Sequence, residues 1–96
     1  MAHQKMQQYI QVEVVYAGAQ TQSMISLRII KGCTVAEIIQ QSGILAQHAE
    51  IRWDVNRVGI WGKPVALSAS VIQEGARIEI YRPLLIDPKQ ARLRRV

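Results

Sequence analysis

The chain is 96 residues long and carries 12 Lys and Arg against 7 Asp and Glu, a formal net charge of +5. That length suits one domain, whose core at this size withdraws about 60–65% of the unfolded chain's surface from water without metal or disulfide staples. The mixture of apolar and charged residues excludes wholesale disorder, and no apolar run approaches the ~20 residues needed to cross a bilayer.

Phenylalanine is absent and only two Trp and three Tyr are present, so Val, Ile, Leu, Met and Ala must build the core. Cys33, the one cysteine, cannot form an internal bridge, which fits a reducing cytoplasm. It precedes a predicted helix, where a thiol can become reactive; a small loop residue is the preferred reading. Residues 1–8 are polar, show no secretory pattern and are expected to be loose, with the folded domain over 9–86 and a basic tail over 87–96. From Arg82 onward five basic residues (Arg82, Lys89, Arg92, Arg94, Arg95) face one carboxylate, Asp87, a net of +4. The rest of the chain is close to neutral.

Tyr9 to Ala17 alternates, with Ile10, Val12, Val14 and Tyr16 on one face, which predicts a half-buried strand. Gly18-Ala19-Gln20 reads as a turn, and Ser23 to Ile30 alternates again with Ile25, Leu27 and Ile29 inward, completing a hairpin. Thr34-Val35-Ala36-Glu37 matches a capping box, so a helix is predicted over Val35 to about Ser42, with Gly43 ending it. Ile44 and Leu45 are expected to fold back over the helix end.

Gln47 to Asn56 has no clear period and reads as a loop anchored by Ile51 and Trp53. Arg57 to Trp61 is a third strand, Val65 to Leu67 a brief edge strand after Pro64, and Ser68 to Gln73 a helical turn placing Val71 and Ile72 in the core. Glu74-Gly75 turns into a last strand, Ala76 to Tyr81. Asp87-Pro88 reads as a cap and first position of a short helix in the tail.

The order hairpin, helix, irregular crossing, short strands, last strand is α+β. It matches the β-grasp, or ubiquitin-like, layout: a mixed sheet of four to five strands with one main helix packed on one face.

Several segments carry more than a pattern. Val12-Glu13-Val14-Val15-Tyr16-Ala17, Gly32-Cys33-Thr34-Val35-Ala36-Glu37-Ile38-Ile39 with Ser42-Gly43-Ile44-Leu45, and Asn56-Arg57-Val58-Gly59-Ile60-Trp61-Gly62-Lys63 resemble the RnfH-like family of small bacterial proteins. So does Arg77-Ile78-Glu79-Ile80-Tyr81-Arg82-Pro83-Leu84 followed by Asp87-Pro88-Lys89, the most specific stretch. The likeness covers about Tyr9 to Arg95. The sequence departs from it at Gly18-Ala19, where Leu-Pro is common, and at Ala76, where an acidic residue is usual. The resemblance implies a ubiquitin-like β-grasp and little about activity. It associates such proteins with an Rnf electron-transport complex, and some with a toxin-like lipid-pocket domain protein under a proposed antitoxin label, RatB.

Three functional classes compete. A sulfur carrier or modifier works through a Gly-Gly C-terminus, whereas this sequence closes Arg94-Arg95-Val96 with no glycine after Gly75, so carrier chemistry is not expected. An enzyme is not expected either: His3 and His48 are the only imidazoles, and no catalytic pair, metal spacing or phosphate loop is visible, so no catalytic, metal or cofactor residue is assigned. A basic tail can touch RNA or ribosomes through charge, yet no stacking aromatics interleave with it. The favoured reading is a cytoplasmic module that binds another protein. Its candidate contact residues are Trp61, Lys63, Tyr81, Arg82, Lys89, Arg92, Arg94 and Arg95, with Arg28 sharing the open sheet face.

Overall fold

The computed structural model describes residues 8–18 and 22–82. Its strongest alternating segment becomes the middle of the sheet. In β1 (Tyr9–Ala17) the side chains of Ile10, Val12, Val14 and Tyr16 are buried, as the two-residue period requires. Val15 faces the other way and is still only 8% exposed, because a central strand is flanked on both sides. β2 (Gln22–Ile30) pairs antiparallel with β1 in an unbroken register from Ala17↔Gln22 to Tyr9↔Ile30.

The helix α1 (Val35–Ser42) starts where the capping box predicts. The Thr34 hydroxyl accepts from the Glu37 N–H at 3.1 Å, and the Glu37 carboxylate accepts from the Thr34 N–H at 2.8 Å. Two more of its early N–H groups, those of Val35 and Ala36, donate to the carbonyls of Ala69 and Leu67. The first turn is therefore satisfied from both its own cap and a distant segment. Val35, Ile38 and Ile39 are fully buried, and Gly43 ends the helix at φ 78°, a left-handed conformation that glycine adopts without steric cost. The expected apolar flap is a second short helix, α2 (Ile44–Gln47), which buries Ile44 completely.

β3 (Arg57–Ile60), β4 (Lys63–Pro64) and β5 (Arg77–Tyr81) complete a five-stranded sheet in the order β2-β1-β5-β3-β4. β5 runs parallel to β1 with Val14↔Ile78 and Tyr16↔Ile80 in register, so first and last strands lie side by side. The architecture is the expected α+β β-grasp, with α1 on one face.

Two expectations fail. The edge strand is Lys63–Pro64 rather than Val65 to Leu67. The Val65 N–H donates to the Val58 carbonyl at 3.1 Å, which puts Pro64 at the intervening position where no donor to β3 is required. Ser68 to Gln73 forms no helical turn. Val65, Leu67 and Ala69 alternate inward while their neighbours face out, and the Leu67 and Ala69 carbonyls are engaged by α1. Ile72 is buried as expected, but Val71 is 86% exposed. A chain without helical curl cannot turn both adjacent side chains to the core.

Candidate interaction surface

The register decides which side chains share the face turned away from α1. Glu13, Val15 and Ala17 of β1 stand beside Ser26, Met24 and Gln22 of β2. On the other side Glu13 pairs with Arg77 and Val15 with Glu79, which in turn faces Gly59. One transverse row therefore reads Met24, Val15, Glu79, Gly59, Pro64 across all five strands.

At one end of this face the chain reverses through Trp61 and Gly62, which join the paired residues Ile60 and Lys63. Both have positive φ, 49° and 83°, the demand of a tight two-residue hairpin turn of the primed kind. Trp61 thus occupies a conformation rare for a large side chain and is 61% exposed. The Arg77 guanidinium carbon lies 5.2 Å from its ring centroid, within cation–π range. Arg77 Nε also donates to Glu13 Oε1 at 3.2 Å, tying indole, guanidinium and carboxylate into one line.

Glu79 holds the neighbouring cluster. Its Oε1 accepts from the Tyr81 hydroxyl at 2.7 Å and from the Gly62 N–H at 2.9 Å, linking β5 to the hairpin tip. The Tyr81 phenol is pushed up to about 12, first by that hydrogen bond, then by burial, then by the carboxylate's charge. The Tyr81 ring lies over Gly59, where a Cβ would sit 2.7 Å from its hydroxyl oxygen. An absent side chain on β3 gives the ring its seat.

The candidate residues are not all gathered here. Trp61 stands at this end of the open face, opposite Arg77, whereas Tyr81 pairs with Arg57 at the other end of β3 and leans back over Gly59 to reach Glu79, and Arg82 follows it there. Lys63 pairs with Ile60, whose register partner is the buried Ile78, so it belongs to the helix side of the sheet edge. Arg28 is on the open face but across β1, against the Tyr9 ring at 5.1 Å. Lys89, Arg92, Arg94 and Arg95, the tail's predicted short helix and the turn at Ala19 and Gln20 lie outside the described residues. Trp53 lines a recess of about 220 Å³ with Asn56, Arg57, Pro64, Val65 and Leu67. The residues that sequence reading missed are Arg77, Glu13, Glu79, Gly59 and Met24. Outward alternation marks each strand's contribution, but the pairing of strands far apart in sequence brings them together.

A second polar cluster joins β2 to the segment after α2. His48, 8% exposed, has Nε2 2.7 Å from the Ser23 hydroxyl and Nδ1 3.6 Å from Glu50, with its ring edge-on to Tyr16 at 4.7 Å. The Tyr16 hydroxyl donates to the same Glu50 carboxylate at 3.2 Å. Burial, followed by that hydrogen bond, raises the Tyr16 phenol. The cluster fastens the loop onto the sheet end.

The family model for "RnfH family Ubiquitin" matches residues 10–95. The chain belongs to the RnfH family. Protein RnfH of Tolumonas auensis is 51% identical over 86 residues, covering 90% of this chain and 86% of the relative. Protein RnfH of Hahella chejuensis is 48% identical over 87 residues, covering 90% of this chain and 91% of the relative. Among solved structures, the Caldiarchaeum subterraneum ubiquitin superposes with a TM-score of 0.59 at 13% identity, covering 81% of this chain and 98% of that one. That likeness is one of fold, and it agrees with the sheet order. Among the described residues no helix is long and apolar enough to cross a membrane.

Proposed function

We propose that this RnfH-family chain is a non-enzymatic, cytoplasmic protein-binding module that meets its partner with the open sheet face around Trp61, Arg77 and Tyr81 and with the basic exit beginning at Arg82. The observation that carries this reading is the exposed indole, set on a constrained turn and backed by a guanidinium that Glu13 holds. Aromatic and arginine side chains fixed before binding lose little conformational freedom on contact, the quality that concentrates binding energy in few residues. A component of an Rnf-type electron-transport complex and a toxin-like lipid-pocket protein are the first partners to try as purified proteins.

The test compares affinity capture by the intact chain, by Trp61→Ala and by a version ending at Asp87. A partner retained by the intact chain and lost from Trp61→Ala supports the face, and loss from the shortened version supports the exit. Identical partner sets from all three overturn the assignment.

A further inference from the structure

The two edges of the sheet are protected very differently. β4 closes one side with two residues, one of them Pro64, whose missing N–H and short reach leave little for another strand to pair with. β2 closes the other with nine residues in unbroken register, without proline or bulge.

The phase of the ladder shows what β2 offers. The Lys31 N–H donates to the Gln8 carbonyl at 2.8 Å, which makes that pair a hydrogen-bonded one. Counting by twos, Ile29, Leu27, Ile25 and Ser23 direct their backbone groups at β1. β1 confirms the phase from its other side: the Glu13 N–H donates to the Ala76 carbonyl and the Gln11 carbonyl accepts from the Gly75 N–H, so its odd residues face β5. Met24, Ser26 and Arg28 therefore turn their N–H and C=O groups outward and Ile30 its N–H, its carbonyl accepting from the Cys33 N–H at 3.2 Å, and among the described strands none pairs with this edge. Half-buried Ile25 and Leu27 flank this edge on the helix side, and exposed Met24 and Ile30 on the open side.

Charge chooses the occupant. Between Gly18 and Ala36 the only charged residues are Arg28 and Lys31. A second copy would bring the same basic edge against itself, the basic tail would be repelled, and residues 1–7 contain no carboxylate. We propose that the outer edge of β2 is a second binding site, which takes an acidic, extended segment of another protein as an added strand. Main-chain bonds to Met24, Ser26, Arg28 and the Ile30 N–H hold the segment, apolar side chains cover Ile25 and Leu27, and a carboxylate reaches Arg28. This site is separate from the Trp61 surface.

The probe is the blocked peptide Asp-Val-Thr-Val-Ile-Glu-Asp, titrated into the isotope-labelled full chain, beside a version with lysine at each acidic position. Shifts and slowed hydrogen exchange at the Met24, Ser26, Arg28 and Ile30 amides, with weaker binding of the lysine peptide by about tenfold or more, support the proposal. Ser26→Pro removes an outward donor while sparing the ladder to β1, and must abolish binding. Should that variant misfold, Arg28→Glu decides: it must invert the preference between the two peptides. Trp61→Ala must bind the probe unchanged. Equal affinity for both peptides, no binding at millimolar peptide, shifts centred on Trp61 and Tyr81, or self-association of the chain through β2 would each overturn it.

Discussion

Placing a methyl group at Gly59 tests both the seat of Tyr81 and the hairpin beside it. The Cβ of Gly59→Ala would meet Tyr81 Oη at 2.7 Å, the Lys63 carbonyl oxygen at 2.9 Å and Tyr81 Cε2 at 3.0 Å. All three fall inside the roughly 3.5 Å at which such atoms begin to repel. The ring can swing away by giving up its bond to Glu79; the Lys63 carbonyl is backbone and moves only if the β3–β4 hairpin shifts. Overpacking of this kind costs about 1–3 kcal/mol. Losing a charge-assisted hydrogen bond adds about 1 kcal/mol or less, discounted because Tyr81 is 37% exposed and water screens the pair. Against this, alanine restricts the unfolded chain and returns about 0.4–1 kcal/mol.

The expected net loss is about 2 kcal/mol, a fall in Tm of about 10 °C for a domain of this size. Thermal and urea unfolding measure it, with an unchanged urea slope showing that the denatured state is the same. The decisive arm repeats the substitution in a Tyr81→Ala background, where two of the three close contacts vanish. The penalty should shrink by about 1 kcal/mol, the coupling between the two positions. A Gly59→Ala protein as stable as its parent, or one with the same penalty in both backgrounds, would refute the reasoning.

Two further outcomes are expected. Tyr81 should ionise near pH 12; because its folded-state value lies above the ordinary phenol value of about 10, whatever stability its bond to Glu79 contributes is complete below pH 10 and disappears as pH rises through 12. Ring-carbon resonances of Tyr81 followed against pH should show this, and Glu79→Gln should bring the midpoint back toward 10. Thr34→Ala removes the hydroxyl half of the capping box and should cost about 1 kcal/mol in urea unfolding, while Thr34→Ser should retain most of it.

What the sequence made legible follows from range. The alternation of β1 and β2, the capping box and the glycine that ends α1 are set by neighbouring residues, and each appears in the structure where those residues place it. The segment from Val65 to Gln73 was misread because its conformation is fixed elsewhere. Its carbonyls at Leu67 and Ala69 complete the first turn of α1, about thirty residues earlier, and this contact leaves no local mark. The surface follows the same rule. Trp61 and Tyr81 stand out as exposed aromatics from local alternation alone. That Glu79 joins Tyr81 to Gly62, or that Gly59 makes room for a ring on β5, depends on the pairing of β3 with β5, which no period in either strand encodes.

The carboxylates complete the argument about partners. Glu13 and Glu79 stand on the open face, and both are engaged within it: Glu13 by Arg77, Glu79 by Tyr81 and the Gly62 N–H. Arg28 and Arg57 share that face through their register partners Gln11 and Tyr81, and neither forms an ion pair among the described residues. The face therefore shows an incoming partner indole, phenol and guanidinium groups, with Glu13 paired to Arg77 and the charge of Glu79 outnumbered by Arg28 and Arg57. The β2 edge carries the same polarity through Arg28 and Lys31. If both proposed surfaces bind, one through side chains and one through main-chain pairing, this polarity would favour acidic partners at each.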